Sequence, residues 1–129
     1  MKIENKFPTK DINEEDLKTK FPLVAKKTAD HISKFDVSGV EFGGSFIPIF
    51  AGPNMVESRD LIFNVAENIK ERGAHFLRGG AFKPLTFPYR SKKYTETKEE
   101  GIKWLLKAKK EVGIPIITEV MEEKYLELV

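Results

Sequence analysis

Three short apolar runs, separated by two stretches of helical periodicity, constrain the fold of this chain more than any other feature. The runs occupy residues 46–51, 75–78 and 114–120. The first, at residues 46–51, is a compact apolar run of the kind buried on both faces of a parallel sheet. Because helical stretches lie between them, the pattern predicts consecutive right-handed βαβ units and an α/β fold.

Both helical stretches have start and stop signals. Ser58 is the predicted N-cap of the first helix and Gly73 its stop. The segment Thr-Lys-Glu-Glu at residues 97–100 predicts a capping box for the second, which ends at Gly113. A third helix is predicted from residue 122. The side chains expected to face the core are Leu61, Ile62, Val65 and Ile69 in the first helix and Ile102, Leu105, Leu106 and Val112 in the second.

The region before the first strand divides in two. Residues 1–30 form a polar N-terminal arm, with a helical turn predicted near residues 14–20. Residues 31–42 alternate in polarity around Asp-Val-Ser-Gly at positions 36–39, which predicts a β-hairpin. We therefore expect an arm at residues 1–30 and one α/β domain at residues 31–129.

The strand spacing suits either a (β/α) barrel or an open doubly wound sheet. The first strand is followed by Gly-Pro-Asn-Met at residues 52–55, which lacks the G-x-G-x-x-G spacing of a dinucleotide site, so we favour the barrel. Such a barrel has eight strands and takes roughly 200 residues or more. The chain would supply about three βα units, and its outer strands would have unpaired edges. We expect self-association or a partner chain that completes the sheet.

Composition excludes several classes of protein. The 22 basic and 20 acidic residues are interspersed, without a dense basic stripe, so we expect no nucleic-acid partner. The chain has no cysteine, which rules out thiolate metal ligands and a cysteine nucleophile. No apolar run approaches the roughly 18 residues that span a bilayer. The expectation is a cytoplasmic protein.

Polar or charged side chains lie at or just beyond the carboxyl ends of all three predicted strands. Asn54 comes after the first, Arg78 ends the second with Lys83 beyond it, and Glu119 lies near the end of the third. Because the carboxyl ends of parallel strands share one rim, these groups predict a site for a small anion such as a phosphorylated acid. Other interpretations stay open: the two cations are merely solvated, the glycines at 79–80 form a simple turn, or Glu119 pairs with Lys83. His75 lies at the opposite end of its strand, where we expect a structural role.

Three ordered motifs carry a family resemblance. They are AGPNMVES at residues 51–58, LRGGAFKP at residues 77–84 and TEVM at residues 118–121. The set resembles 3-deoxy-D-arabino-heptulosonate 7-phosphate (DAHP) synthases of the shorter bacterial and archaeal type, from about residue 31 to residue 129. The hairpin also resembles the segment that closes the bottom of that family's barrel.

The resemblance implies a fold and a reaction. The family is a (β/α)8 TIM barrel, a transferase that joins phosphoenolpyruvate to erythrose 4-phosphate in the shikimate pathway of aromatic amino-acid biosynthesis. By motif match, Arg78 and Lys83 hold phosphoenolpyruvate, with Lys83 as the catalytic residue, and Pro84 and Thr86 lie where the sugar phosphate binds. Cations there would stabilise charge that develops as C3 of the enol phosphate attacks the aldehyde.

The chain differs from the family pattern in features that bear on the metal, the aldose phosphate and catalysis. Asn54 stands at the family's metal-ligand cysteine, so we expect no metal cofactor. Leu85 replaces an arginine that would grip the aldose phosphate. With three strands of eight, the chain is expected to be the N-terminal part of the enzyme, truncated and not catalytically competent alone. Two alternatives remain: a non-catalytic anion-binding or interaction module that needs a partner chain, and an octulosonate-8-phosphate-type synthase, suggested by Asn54.

Overall fold

Strands and helices alternate in the second half of the chain, as the sequence predicts. The computed structural model describes residues 14–83 and 96–129. Pro84 and Thr86, predicted to lie at the sugar phosphate, fall outside these residues. The elements are α1 (Glu14–Lys20), β1 (Phe35–Val37), β2 (Val40–Phe42), β3 (Phe50–Ala51), α2 (Arg59–Glu71), β4 (Phe76–Arg78), α3 (Lys98–Val112), β5 (Ile116–Ile117) and a 3₁₀ turn (Glu123–Tyr125).

A three-stranded parallel sheet forms the centre of the domain. Its strands are ordered β3-β4-β5, so chain neighbours are also hydrogen-bonded neighbours. Ala51 pairs with Leu77, and Leu77 in turn pairs with Ile116. β3 and β5 have only two residues each, which corrects the longer strands predicted at 46–51 and 114–120. Proline lacks an amide for the ladder, which accounts for the late start of β3 after Pro48 and of β5 after Pro115.

Helices α2 and α3 cover one face of the sheet and create the core. Leu77 of β4 is completely buried between them. The core side chains, all buried, are Val56, Ile62, Ala66, Leu77, Ala81, Phe82, Ile102, Leu105, Ala108 and Ile114. Leu61 and Leu106 were expected in this core but are exposed. The buried stripe of α3 follows Ile102, Leu105 and Ala108, and successive residues are rotated by about 100°, so Leu106 points away from the sheet.

The helix ends confirm some signals and correct others. The Ser58 hydroxyl accepts the Leu61 amide at 3.3 Å and caps α2, and Gly113 is the left-handed cap of α3. Thr97 is the N-cap residue of α3 but makes no side-chain cap, so the predicted capping box is wrong. Its hydroxyl donates instead to the Val56 carbonyl at 2.9 Å, which ties the start of α3 to the loop after β3.

The C-terminal helix that the sequence predicts from residue 122 is a single 3₁₀ turn, Glu123–Tyr125. The Tyr125 ring packs on Phe82, with ring centroids 4.3 Å apart. The end of the described chain is therefore joined to the core through an aromatic contact. None of the helices in the described ranges has the length and apolar character needed to cross a membrane.

The predicted hairpin is confirmed and packs at the amino end of the sheet. Strands β1 and β2 pair antiparallel, and Ser38 and Gly39 form the turn with positive φ at both residues. The Phe42 ring lies 5.8 Å from Phe50 and 5.7 Å from Phe76. Phe76, on the side of the sheet opposite to Leu77, is thereby buried.

Beyond this aromatic contact the second face of the sheet is open. Phe50 is 41% exposed and Ile117 is 42% exposed, although both belong to strands. The prediction that residues 46–51 are buried on both faces is wrong for β3, the strand that forms there. Because side chains alternate along a strand, Arg78 points to the same face as Phe76. The open face thus has aromatic rings at one end and a charged group at the other.

Candidate functional site

The carboxyl end of β4 fixes Arg78 at the rim of the sheet. Its Nη1 donates to the Pro53 carbonyl at 3.1 Å and to Asn54 Oδ1 at 3.2 Å, both in the loop after β3. The guanidinium is therefore held from one side by a neighbouring strand end. Its Nη2 remains directed toward β5.

Two buried glycines carry the chain from Arg78 to Lys83. A Cβ on Gly79 would lie 2.9 Å from Val56 Cγ2 and 3.3 Å from Leu105 Cδ2, too close for a side chain. Gly80 forms a parallel bridge with Met55, and its carbonyl accepts the Val56 amide at 3.0 Å. The glycine pair therefore extends the pairing of β4 past the strand end and allows close packing against α3. This places Lys83 at the same rim.

Glu119, just after β5, joins the two cations. Arg78 Nη2 donates to Glu119 Oε1 at 2.6 Å, and Lys83 Nζ donates to the same oxygen at 2.7 Å and to Oε2 at 2.9 Å. The interpretation in which Glu119 pairs with Lys83 is confirmed, and the pairing extends to Arg78. We call Arg78, Lys83 and Glu119 the rim triad.

The electrostatics of the rim triad favour an ionised carboxylate. The hydrogen bond from Lys83 is the largest cause that lowers the pKa of Glu119 below its ordinary value. The positive charges of Lys83 and Arg78 act in the same direction, and desolvation opposes them. The side chains remain 31%, 22% and 32% exposed for Arg78, Lys83 and Glu119 respectively, so a dissolved anion has access to both cations.

Asn54 does not fit the role of a metal ligand. Its Oδ1 is a neutral amide oxygen, and it accepts a hydrogen bond from the guanidinium of Arg78. A divalent cation there would have to displace or oppose a fixed positive charge, with a weak ligand in return. No group of three histidine, cysteine or acidic side chains in the described part of the chain has the geometry of a metal site.

His75 has the structural contacts expected of it. Its Nδ1 accepts the Ile49 amide at 3.0 Å, and its ring meets Phe46 edge-on with centroids 4.8 Å apart. This places the imidazole at the amino end of β4, at the opposite end of the strand from Arg78. It links the segment before β3 to the sheet.

The sequence predicted two of the three residues of the rim triad, Arg78 and Lys83, as ligand-binding groups. Arg78 and Lys83 converge as predicted, while Glu119 was foreseen as a partner of Lys83 alone. The missed contacts are those of Arg78 with Glu119 and with the Pro53 carbonyl. The signal available for the first was the position of Glu119, immediately after the third strand and hence at the same rim. The roles of Pro84 and Thr86 remain predictions.

Comparison with known proteins identifies the family of this chain. A model of the DAHP synthetase I family matches residues 25–129. The phospho-2-dehydro-3-deoxyheptonate aldolase of Thermotoga maritima is 32% identical over 103 residues, which cover 80% of this chain and 30% of that protein. The 2-dehydro-3-deoxyphosphooctonate aldolase of Fusobacterium nucleatum is 33% identical over 101 residues, 70% of this chain and 34% of that protein.

Solved structures of DAHP synthases are also similar to this chain. The chain superposes on the Thermotoga maritima DAHP synthase with a TM-score of 0.65 at 32% identity, covering 74% of this chain and 27% of that one. A truncated form of the same organism's synthase gives a TM-score of 0.61 at 30% identity, with 74% and 32% covered. The chain thus spans about a third of the length of the relatives it matches. The match of the family model spans residues 25–129, and this chain belongs to the DAHP synthetase I family.

Proposed function

We propose that this chain forms the phosphoenolpyruvate-binding part of a DAHP synthase-type transferase, which joins phosphoenolpyruvate to erythrose 4-phosphate in aromatic amino-acid biosynthesis. One observation supports this most strongly. Arg78 and Lys83 bond to a single carboxylate oxygen, at 2.6 and 2.7 Å, so both cations reach the position of one small anion. Family membership supports the choice of reaction.

The chemistry of the two cations suits an enol phosphate. The guanidinium of Arg78 offers planar donors that match a carboxylate or phosphate, and Lys83 supplies a compact charge. An anion held between them would keep C3 free to attack an aldehyde. Fixed positive groups would stabilise the charge that redistributes between carboxylate and phosphate during that attack. Lys83 is the residue proposed to contribute most to this stabilisation.

The rest of the catalytic site would come from outside these 129 residues. Strands paired in chain order, with helices on one face and an open second face, suit the first units of a (β/α)8 barrel. In such a barrel the open face would point inward, and the hairpin would close the bottom. We propose that further strands cover the edges of β3 and β5.

An octulosonate-type synthase is the second candidate. The similarity to the Fusobacterium nucleatum octonate aldolase and the presence of Asn54 favour it. Both candidate reactions start from the same three-carbon enol phosphate, so they predict the same use of Arg78 and Lys83. They differ in the aldose, which has four carbons for a heptonate product and five for an octonate product.

The proposal is tested by calorimetric titration of the chain with phosphoenolpyruvate. We expect saturable binding that falls at least tenfold in Lys83→Ala, equivalent to about 1.4 kcal/mol. Lys103→Ala, an exposed lysine of α3, is the matched control and should bind like the parent chain. Absence of binding by the parent chain would contradict the proposal. Binding without turnover of either aldose, once the missing strands are supplied, would favour the non-catalytic anion-binding module.

A further inference from the structure

We propose that Glu119 is an internal competing anion: its carboxylate occupies the site of phosphoenolpyruvate between Arg78 and Lys83, and the ligand binds by displacing it. This inference rests on the proposed function of the two cations. It adds a residue that determines how tightly the site holds its ligand. Three features of the rim triad support it.

First, the carboxylate of Glu119 makes the contacts that a bound ligand would make. Oε1 accepts from Arg78 Nη2 and from Lys83 Nζ, and Oε2 accepts a second bond from Lys83. Both cations are thus engaged by one carboxylate group. A ligand carboxylate or phosphate that entered the same space would meet the negative charge of Glu119. Simultaneous occupation is therefore disfavoured.

Second, Arg78 does not depend on Glu119 for its orientation. Its Nη1 is held by the Pro53 carbonyl and by Asn54 Oδ1, at 3.1 and 3.2 Å. If Glu119 turned away, these bonds would still direct Nη2 toward the site. Glu119 therefore accepts a hydrogen bond from the guanidinium of Arg78 but does not position it.

Third, the carboxylate is free to leave. Within residues 14–83 and 96–129, its hydrogen bonds come only from Arg78 and Lys83. The side chain is about one-third exposed, so water can receive it when the ligand enters. Partly exposed ion pairs are weak enough to exchange. A site whose competent state is only partly populated has a correspondingly lower apparent affinity.

Titration of Glu119→Gln with phosphoenolpyruvate tests the inference. Glutamine keeps the shape but removes the competing charge, so we expect binding about fivefold to tenfold tighter than in the parent chain. Glu111→Gln is the matched control, because it removes one carboxylate from an exposed pair with Lys107 on α3. It should leave the affinity unchanged. Glu119→Asp, with a shorter side chain, serves as a second variant should the glutamine variant fail to fold, and is also expected to bind more tightly.

The outcomes separate the two proposals. Equal or weaker binding by a folded Glu119 variant, while the parent chain binds, would overturn the competition and leave the anion site intact. Absence of phosphoenolpyruvate binding by the parent chain would overturn the proposed function, and this inference with it. Equal tightening in Glu111→Gln would show a general charge effect and would also overturn the role assigned to Glu119.

Discussion

The two faces of the parallel sheet are built from similar apolar side chains but have different surroundings. On the helix side, Leu77 is packed between α2 and α3 and no part of it reaches solvent. On the other side, Phe50 and Ile117 are about two-fifths exposed, and of the described residues only those of the hairpin cover the amino end. The first face accounts for the stability of the described chain. The second face has Arg78 at its carboxyl end and is where the proposed ligand would bind.

The largest effect is expected on the helix face. Leu105→Ala should lower the free energy of unfolding by about 2–5 kcal/mol, because it leaves a cavity among completely buried neighbours. Leu106→Ala, one residue along the same helix and 48% exposed, should change it by about 0.5 kcal/mol or less. Denaturant unfolding measures both. Similar losses in the two variants would contradict the assignment of the buried face.

Gly79→Ala tests the close packing of the segment that leads from β4 to Lys83. The added methyl group would meet Val56 and Leu105, so we expect a loss of about 1–3 kcal/mol from overpacking. Because the same segment carries Lys83, phosphoenolpyruvate binding should weaken as well. A variant as stable as the parent chain would show that the loop does not pack as closely as described.

Phe42→Ala tests how much the hairpin contributes to the open face. Phe42 contacts Phe50 and Phe76, and we expect a loss of about 1–2 kcal/mol, since aromatic contacts and partial burial are removed. Phe35→Ala, whose ring stacks on Phe42 alone among the described rings, should cost less. Thermal unfolding compares the two. A larger loss of stability in Phe35→Ala than in Phe42→Ala would contradict the greater contribution assigned to Phe42.

Only a small effect on stability is expected at the rim triad. Glu119→Gln should cost less than about 1 kcal/mol at neutral pH, because the ion pairs are partly exposed. The pKa of Glu119 is lowered in the folded chain, so its contribution is present above the unfolded pKa and lost as pH falls through the folded one. The stability difference between parent and variant should therefore shrink in acid. A difference that grows in acid would contradict this sign.

The sequence predicted those features that depend on local signals. The hairpin turn, the Ser58 cap, the parallel strand order and the convergence of Arg78 with Lys83 all follow from spacing and residue type. The strand lengths, the exposure of Leu106 and the bond from Thr97 to Val56 did not, because they depend on tertiary packing. The position of Glu119 at the end of the third strand places it at the rim, but its bond to Arg78 as well as to Lys83 depends on how β4 and β5 are placed relative to each other.

The proposed function requires Arg78 and Lys83 to act on the same anion. A crystal structure of the chain with phosphoenolpyruvate tests this most directly. We predict that ligand oxygens lie within hydrogen-bond distance of Arg78 Nη2 and Lys83 Nζ, with the Glu119 carboxylate turned away. A ligand bound elsewhere, with the rim triad still closed on Glu119, would contradict the account.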